Sequence, residues 1–214
     1  MSNETKAIFG ASVTAVGTVI AAVGATPFRV LSKPFRLDLS VIGNVLQGVG
    51  NGIEADTQEP FSLGRIGNEI QSLGNSTVVA GLIINFDDET KQKLVITGNW
   101  FQALGGTVAL GPEFSEPDPD LNDGLSIIGN ILQVTGNSLQ AINGIENLKK
   151  SRIQKKLQYP DDGDDDDGSF RTFDVVGSWI QATGAVISLI STIGIPECSR
   201  FGYLVKEDDS EDST

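Results

Sequence analysis

Ile128-Gly129-Asn130-Ile131-Leu132-Gln133-Val134-Thr135-Gly136-Asn137 is the stretch on which the fold turns, because its frame recurs along the chain. The frame is an apolar residue, or Thr in one copy, before a Gly-Asn (Gly-Ser in the last copy), a Gln four residues after that Gly, and a second Gly or Gly-Asn seven after it. Five copies keep it: Gly43/Gln47/Gly50, Gly67/Gln71/Gly74, Gly98/Gln102/Gly105, Gly129/Gln133/Gly136 and Gly177/Gln181/Gly184. A sixth, degenerate copy near the N-terminus carries Gly10, Gly17 and Gly24, with Thr14 in the position of the Gln.

Gly-Asn pairs are hairpin signals when alternating apolar residues flank them. A step of seven argues against strands, since an odd period puts equivalent residues on opposite faces of a sheet, whereas it returns a helix to within about 20° of its starting face. Each copy is therefore expected to be a helix. On a helical wheel the positions four and one before the first Gly, and three and six after it, are apolar: Leu39, Ile42, Leu46 and Val49; Leu63, Ile66, Ile70 and Leu73; Leu125, Ile128 and Leu132. That stripe is expected to be the core face.

The glycines and the intervening Gln fall on an adjoining stripe. A Gly in a helix interior costs about 1 kcal/mol relative to Ala, and close approach of a second backbone is the gain that offsets it. Gly43, Gln47, Gly50, Gly67, Gln71, Gly74, Gly98, Gln102, Gly105, Gly129, Gln133, Gly136, Gly177, Gln181 and Gly184 are thus expected to form a helix-packing seam. There the Gln amides bond to backbone carbonyls or to a Gln on the facing helix. Units of this kind bury their shared face against one another. The fold expected is all-α, with six glycine-containing helical repeats in a bundle or a solenoid-like body.

With 214 residues the chain is long enough for a sizeable core. Connectors are expected at residues 27–34, 54–60 and 85–93, with longer breaks at 111–124 and 159–169, where polar and Pro-marked segments interrupt the copies. One helical repeat domain over residues 1–205, with an acidic loop near 159–169, and a disordered acidic tail over 206–214 complete the expected organisation. The net charge of -13 is concentrated in that loop and that tail, which leaves the body near neutral. No basic stripe faces a phosphate backbone, so nucleic acid is not an expected partner. The basic run Ser151-Arg152-Ile153-Gln154-Lys155-Lys156 is expected to close a long fifth helix, where cations complement the helix dipole.

The chain has no His and a single Cys, Cys198, which excludes Ser-His and Cys-His dyads and most zinc sites. Calcium fails on spacing, because a loop opening at Asp162 has Asp167 where Gly is required and Phe173 in place of the closing Glu; Asp118 to Gly124 has its Gly one place late. No cofactor and no catalytic residue is expected. Residues 7–26 and 175–195 are apolar enough to raise a signal peptide or a membrane span as alternatives. Against a signal peptide, Met1 to Lys6 carries no net positive charge; against a span, the other copies place Asn, Gln, Glu and Arg mid-segment.

The Gly-Asn-x-x-Gln-x-x-Gly-Asn frame and the acidic linker resemble those of a family of "repetitive proteins" of spore-forming bacilli. The resemblance brings no reaction and no catalytic residues; it implies a bacterial source and a link to sporulation or to a surface structure. The expectation is a non-catalytic structural or self-assembling helical protein, a homo-oligomer, cytoplasmic or spore-associated. The alternative is a membrane-inserting or pore-forming protein that uses its apolar terminal helices. Self-association is expected because the first and last copies of an open array lack an outer neighbour.

Overall fold

A computed structural model describes residues 1–115, 117–157 and 168–195. The acidic loop from Asp161 to Asp167, the lone thiol of Cys198 and the tail from Lys206 lie outside the described residues. Six helices succeed one another: α1 Asn3–Ala25, α2 Lys33–Asp56, α3 Leu63–Ile83, α4 Asp88–Ala109, α5 Leu121–Leu157 and α6 Gly168–Ile193. A short 3-10 turn, Glu113–Ser115, lies between α4 and α5. No strand occurs among the described residues.

Side-chain caps fix where the first four helices start. Ser2, Ser32, Ser62 and Asp87 accept from the backbone N–H of Thr5, Phe35, Arg65 and Thr90, which satisfies donors that no intrahelical carbonyl can reach. The α5 start is held reciprocally, with the Asp120 N–H donating to Asp123 Oδ2 and the Asp123 N–H donating to Asp120 Oδ1, both at 2.8 Å.

Short connectors make consecutive helices antiparallel neighbours. The pairs α1–α2, α3–α4 and α5–α6 pack most closely, and looser seams join α2 to α3, α4 to α5 and α6 back to α1. The bundle is therefore a closed ring of three hairpins. Its closure corrects the expectation of unpaired ends: α1 and α6 cover one another, and Trp179 Nε1 donates to Thr26 Oγ1 across that seam at 3.0 Å. An open solenoid is excluded by the same contact.

A second correction concerns the core. Ile42, Val49, Leu63, Leu73 and Ile128, expected inside, are 48–56% exposed, and Leu39, Leu46, Ile66, Ile70, Leu125 and Leu132 are only part-buried. The buried apolar residues are chiefly small: Ala11, Ala15, Ala22, Ala55, Ala103, Ala141, Ala182 and Ala185, with Val78, Ile96 and Leu110. The largest fully buried side chains are Asn75, Asn137 and Thr18. A helical wheel gives relative directions but not which stripe faces in. Here the glycine stripe meets the paired helix and the amide stripe turns to the axis, so the large apolar stripe is left on the outside.

The α5 helix is the exception in length. Its last turns form a charged extension from Glu146 to Leu157 that runs along the start of α4, held by Arg152 Nη2 on Glu89 Oε1 at 2.6 Å and by Lys149 on Glu146 at 2.7 Å.

Candidate functional site

The glycines set the distance between the helices of each hairpin. A Cβ built on Gly43 would lie 2.7 Å from the Gly17 carbonyl oxygen, and one on Gly17 equally close to the Gly43 oxygen. Gly10 and Gly50 form a second such pair in the first hairpin. Gly67 faces Gly105 and Gly74 faces Gly98 in the second hairpin; Gly129 faces Gly184 and Gly136 faces Gly177 in the third. Every one of these built Cβ atoms would sit 3.0 Å or less from backbone of the partner helix. The pairs lie one heptad apart on each helix, which is why the seven-residue step recurs.

The glutamines do something else. Gln47, Gln102 and Gln181 come from α2, α4 and α6, which are not neighbours in the ring, and they meet on its axis. Gln181 Nε2 donates to Gln47 Oε1 at 2.8 Å and to Gln102 Oε1 at 3.2 Å, while Gln140 Nε2 donates to Gln181 Oε1 at 3.0 Å. This layer divides the interior into two polar vestibules. The wider one, about 250 Å³, opens at the end that carries Met1 and is lined by Thr14, Gln71 and Gln133 of the odd helices, with Asn51, Asn68, Glu54 and Glu113. The narrower one, about 140 Å³, opens at the opposite end and is lined by Ser40, Asn44, Asn99, Gln140, Asp174 and Ser178.

The lining follows one rule. Seven residues before or after each axial Gln, or after Thr14, stand Ala21, Ser40, Glu54, Gly64, Val78, Val95, Ala109, Ser126, Gln140, Asp174 and Ser188, and each of them lines a vestibule. The heptad that pairs the glycines therefore also builds a continuous inward stripe. Within it, Thr14 Oγ1 donates to Glu54 Oε1 at 3.0 Å and Gln133 Nε2 donates to Ser188 Oγ at 3.1 Å. The Asn residues of the frame are drawn inward too: Asn51, Asn68, Asn75, Asn99 and Asn137 are buried, and Asn75 Nδ2 donates to the Gln71 carbonyl at 3.0 Å.

Glu113 is not distinguished by the sequence pattern, because it comes from the 3-10 turn and not from a repeat. Its Oε1 accepts from Ser126 Oγ and from Asn130 Nδ2, whereas its Oε2 is buried with no protein partner. Burial raises its pKa above the usual carboxylate value, the Ser126 and Asn130 bonds oppose that shift, and the nearby Asp123 charge adds to it.

The outer surface is the reverse of the interior. Val16, Val19, Val45, Val49, Leu73, Trp100, Leu104, Ile131, Ile142, Val176, Trp179, Val186 and Ile190 are all exposed there. Hydroxyls on this face are satisfied by their own helix: Thr77, Thr135 and Thr183 donate to the carbonyls of Leu73, Ile131 and Trp179, each at 2.8 Å. Each helix contains a run without Asp, Glu, Lys or Arg, at 7–28, 39–53, 70–86, 94–112, 124–145 and 175–196. Asn3–Ala25 and Phe173–Ile193 are long and apolar enough as whole helices to cross a membrane. The other four carry charged residues outside those runs, and Gly, Asn and Gln that lower their average, most of which are buried. An ion pair flanks the belt at the start of α3, Arg65 Nε to Glu69 Oε1 at 2.9 Å.

Among the described residues no three His, Cys, Asp or Glu are grouped so as to hold a metal ion. A family model described as a family of unknown function (DUF6944) matches residues 5–189. No curated protein and no solved structure matches the chain.

Proposed function

Because the chain belongs to that family of unknown function, its role must come from its own geometry, and we propose that it is a membrane-inserted, non-catalytic helical barrel whose lumen gives polar solutes a way into the bilayer. The observation that carries this reading is the inverted polarity: amides, hydroxyls and carboxylates inside, large aliphatic and aromatic side chains outside, all the way round a closed ring. Contiguous apolar patches on soluble monomers rarely pass a few hundred Å², whereas here every helix carries exposed large apolar side chains. In lipid such a surface costs nothing, and the polar interior gives the amide stripe its partners.

The packing supports the same environment. Lipid offers no hydrophobic drive between helices, so membrane helices associate through small residues that let backbones touch, as the paired glycines do here. The shortest charge-free run, on α2, spans about 22 Å at 1.5 Å per residue. Outward it reaches farther, because Glu54 at its end turns into the vestibule.

Expression followed by fractionation tests the proposal. The protein is expected in the membrane fraction, resistant to alkaline carbonate, and soluble only with detergent. A monodisperse monomer in detergent-free buffer would overturn it.

A second reading has one observation in its favour. Arg65 and Glu69 lie in the first two turns of α3, beside the start of its charge-free run and part-exposed, where a lipid tail would offer them no partner but each other. A structural assembly in which another copy covers this face would account for them, and a spore or surface role, implied by the resemblance to the repetitive proteins, would go with it. Replacing both residues by Leu separates the two: it strengthens membrane partition if lipid meets α3, and it dissociates the oligomer if a second copy does.

A further inference from the structure

The vestibules have a charge pattern that goes beyond polarity. Among the described residues, Glu54 and Glu113 are the only charged side chains lining the wider one, and Asp174 is the only one lining the narrower. No described Lys or Arg lines either. Around the carboxylates stand oxygen donors that suit a cation or its hydration shell: Thr14, Asn51, Asn68 and Ser126 at one end, Asn44, Asn99 and Ser178 at the other. Glu113 Oε2, buried and without a protein partner, leaves an acceptor open within the wider vestibule.

Resting on the reading of the chain as a membrane barrel, we propose that the lumen is selective for monovalent cations, with Glu54 and Glu113 recruiting them at one mouth and Asp174 at the other. Burial makes such groups hold their protons more tightly, but once ionised, carboxylates enclosed by low-dielectric helices concentrate cations and repel anions more strongly than the same groups in open water. Rings of acidic side chains select cations in this way. Divalent ions are the poorer fit, because the protein sites that hold them tightly bring several charged oxygens together, and no three acids are grouped among the described residues.

The glutamine layer is the constriction between the two mouths. Its amides turn both carbonyl oxygens and N–H groups toward the axis, and Gln102 Nε2 is buried without a partner. An ion crossing the layer must break the bonds from Gln181 to Gln47 and Gln102, exchanging them for contacts with amide oxygens. Gln181 is the hub of all three bonds, so its removal opens the layer while leaving every carboxylate in place.

The full-length protein, reconstituted in vesicles of phosphatidylcholine and phosphatidylglycerol, is fused to a planar bilayer under a KCl gradient and its reversal potential read. Potassium is expected to permeate at least about tenfold better than chloride, in keeping with the enrichment that a charged cleft produces. Glu54→Gln with Glu113→Gln and Asp174→Asn should bring that ratio toward unity. Gln181→Ala should raise the conductance and keep the cation preference. Asp174→Asn alone, expected to lower the ratio in part, serves if the triple variant loses its helical circular dichroism. Flotation with the vesicles is scored first, so that failure to insert, which overturns the membrane reading and this proposal with it, is distinguished from failure to select. Inserted protein that carries no current, shows no cation preference, or keeps its preference in every neutralised variant overturns the proposal alone.

Discussion

Gly43 leaves no room for a methyl group, since a Cβ there would meet the Ala21 nitrogen at 2.6 Å as well as the Gly17 oxygen. Backbone cannot yield as a flexible side chain does, so Gly43→Ala has to spread the first hairpin. A loss of roughly 1–3 kcal/mol, the usual range for overpacking, is expected from thermal melting in detergent. Gly124 supplies the contrast, because nothing lies within 4 Å of its Cβ position. There Ala should raise stability by up to about 1 kcal/mol through helix propensity. Equal effects at the two positions would contradict the close-packing role of the paired glycines. Glu113 bears on pH. Its folded-state pKa is raised, so the folded protein holds that proton more tightly than the unfolded chain does. Stability from this group is fully present below the unfolded value near 4.5 and is lost as pH rises through the folded value. Glu113→Gln should accordingly raise the melting temperature at neutral pH and flatten its decline between acid and neutral pH. A steeper decline in the variant would place the sensitive group elsewhere.

At the scale of the element, α5 depends on the paired Asp120 and Asp123 at its start, and the backbone bond from Asp123 holds the Asp120 pKa below the ordinary value. For a depressed carboxylate the sign reverses, with stability present above the unfolded value of 3.8 and lost as pH falls through the folded one. Asp120→Ala should lower the melting temperature at neutral pH and change it little in strong acid; the same loss at both would mean that the cap acts without its charge. The helices themselves are legible in the sequence, because a heptad of glycines fits a helix and not a strand, and the glycine pairing follows from the cost of Gly in a helix. The direction of each face is not. Leu63 and Ile128 look like core positions under the rule that apolar side chains avoid water, but the glycine stripe takes the helix contacts and the amide stripe the axis, which leaves both side chains outside. The vestibule lining is half legible: Gln47 and Gln181 lie one heptad from Glu54 and Asp174, so extending the Gln stripe finds both carboxylates. Glu113 follows no period, and only the turn after α4 brings it in.

For the molecule as a whole, closure of the ring removes the reason for self-association first suggested by unpaired end copies, since α1 and α6 are each other's neighbours. Any assembly must use the outer surface. The charged extension of α5 has a different consequence, for it stands at the end where α1 finishes and α2 and α4 begin. Among the described residues, Arg29, Lys33, Arg36, Lys91, Lys93, Lys149, Arg152, Lys155 and Lys156 all gather at that end, whereas the opposite end of the ring has Lys6 and Arg65. Flanking Lys and Arg, rather than net charge, orient membrane helices, and the side richer in them is retained in the cytoplasm. On the membrane reading, the barrel would stand with the α5 extension and the narrower vestibule inward, and with Met1 and the mouth bearing Glu54 and Glu113 facing out. In a Cys198→Ser background, a maleimide that cannot cross membranes should label Ser2→Cys in intact cells and reach Ser151→Cys only after lysis. The reverse pattern would turn the barrel over and make the mouth with Asp174 the one that meets the outside world.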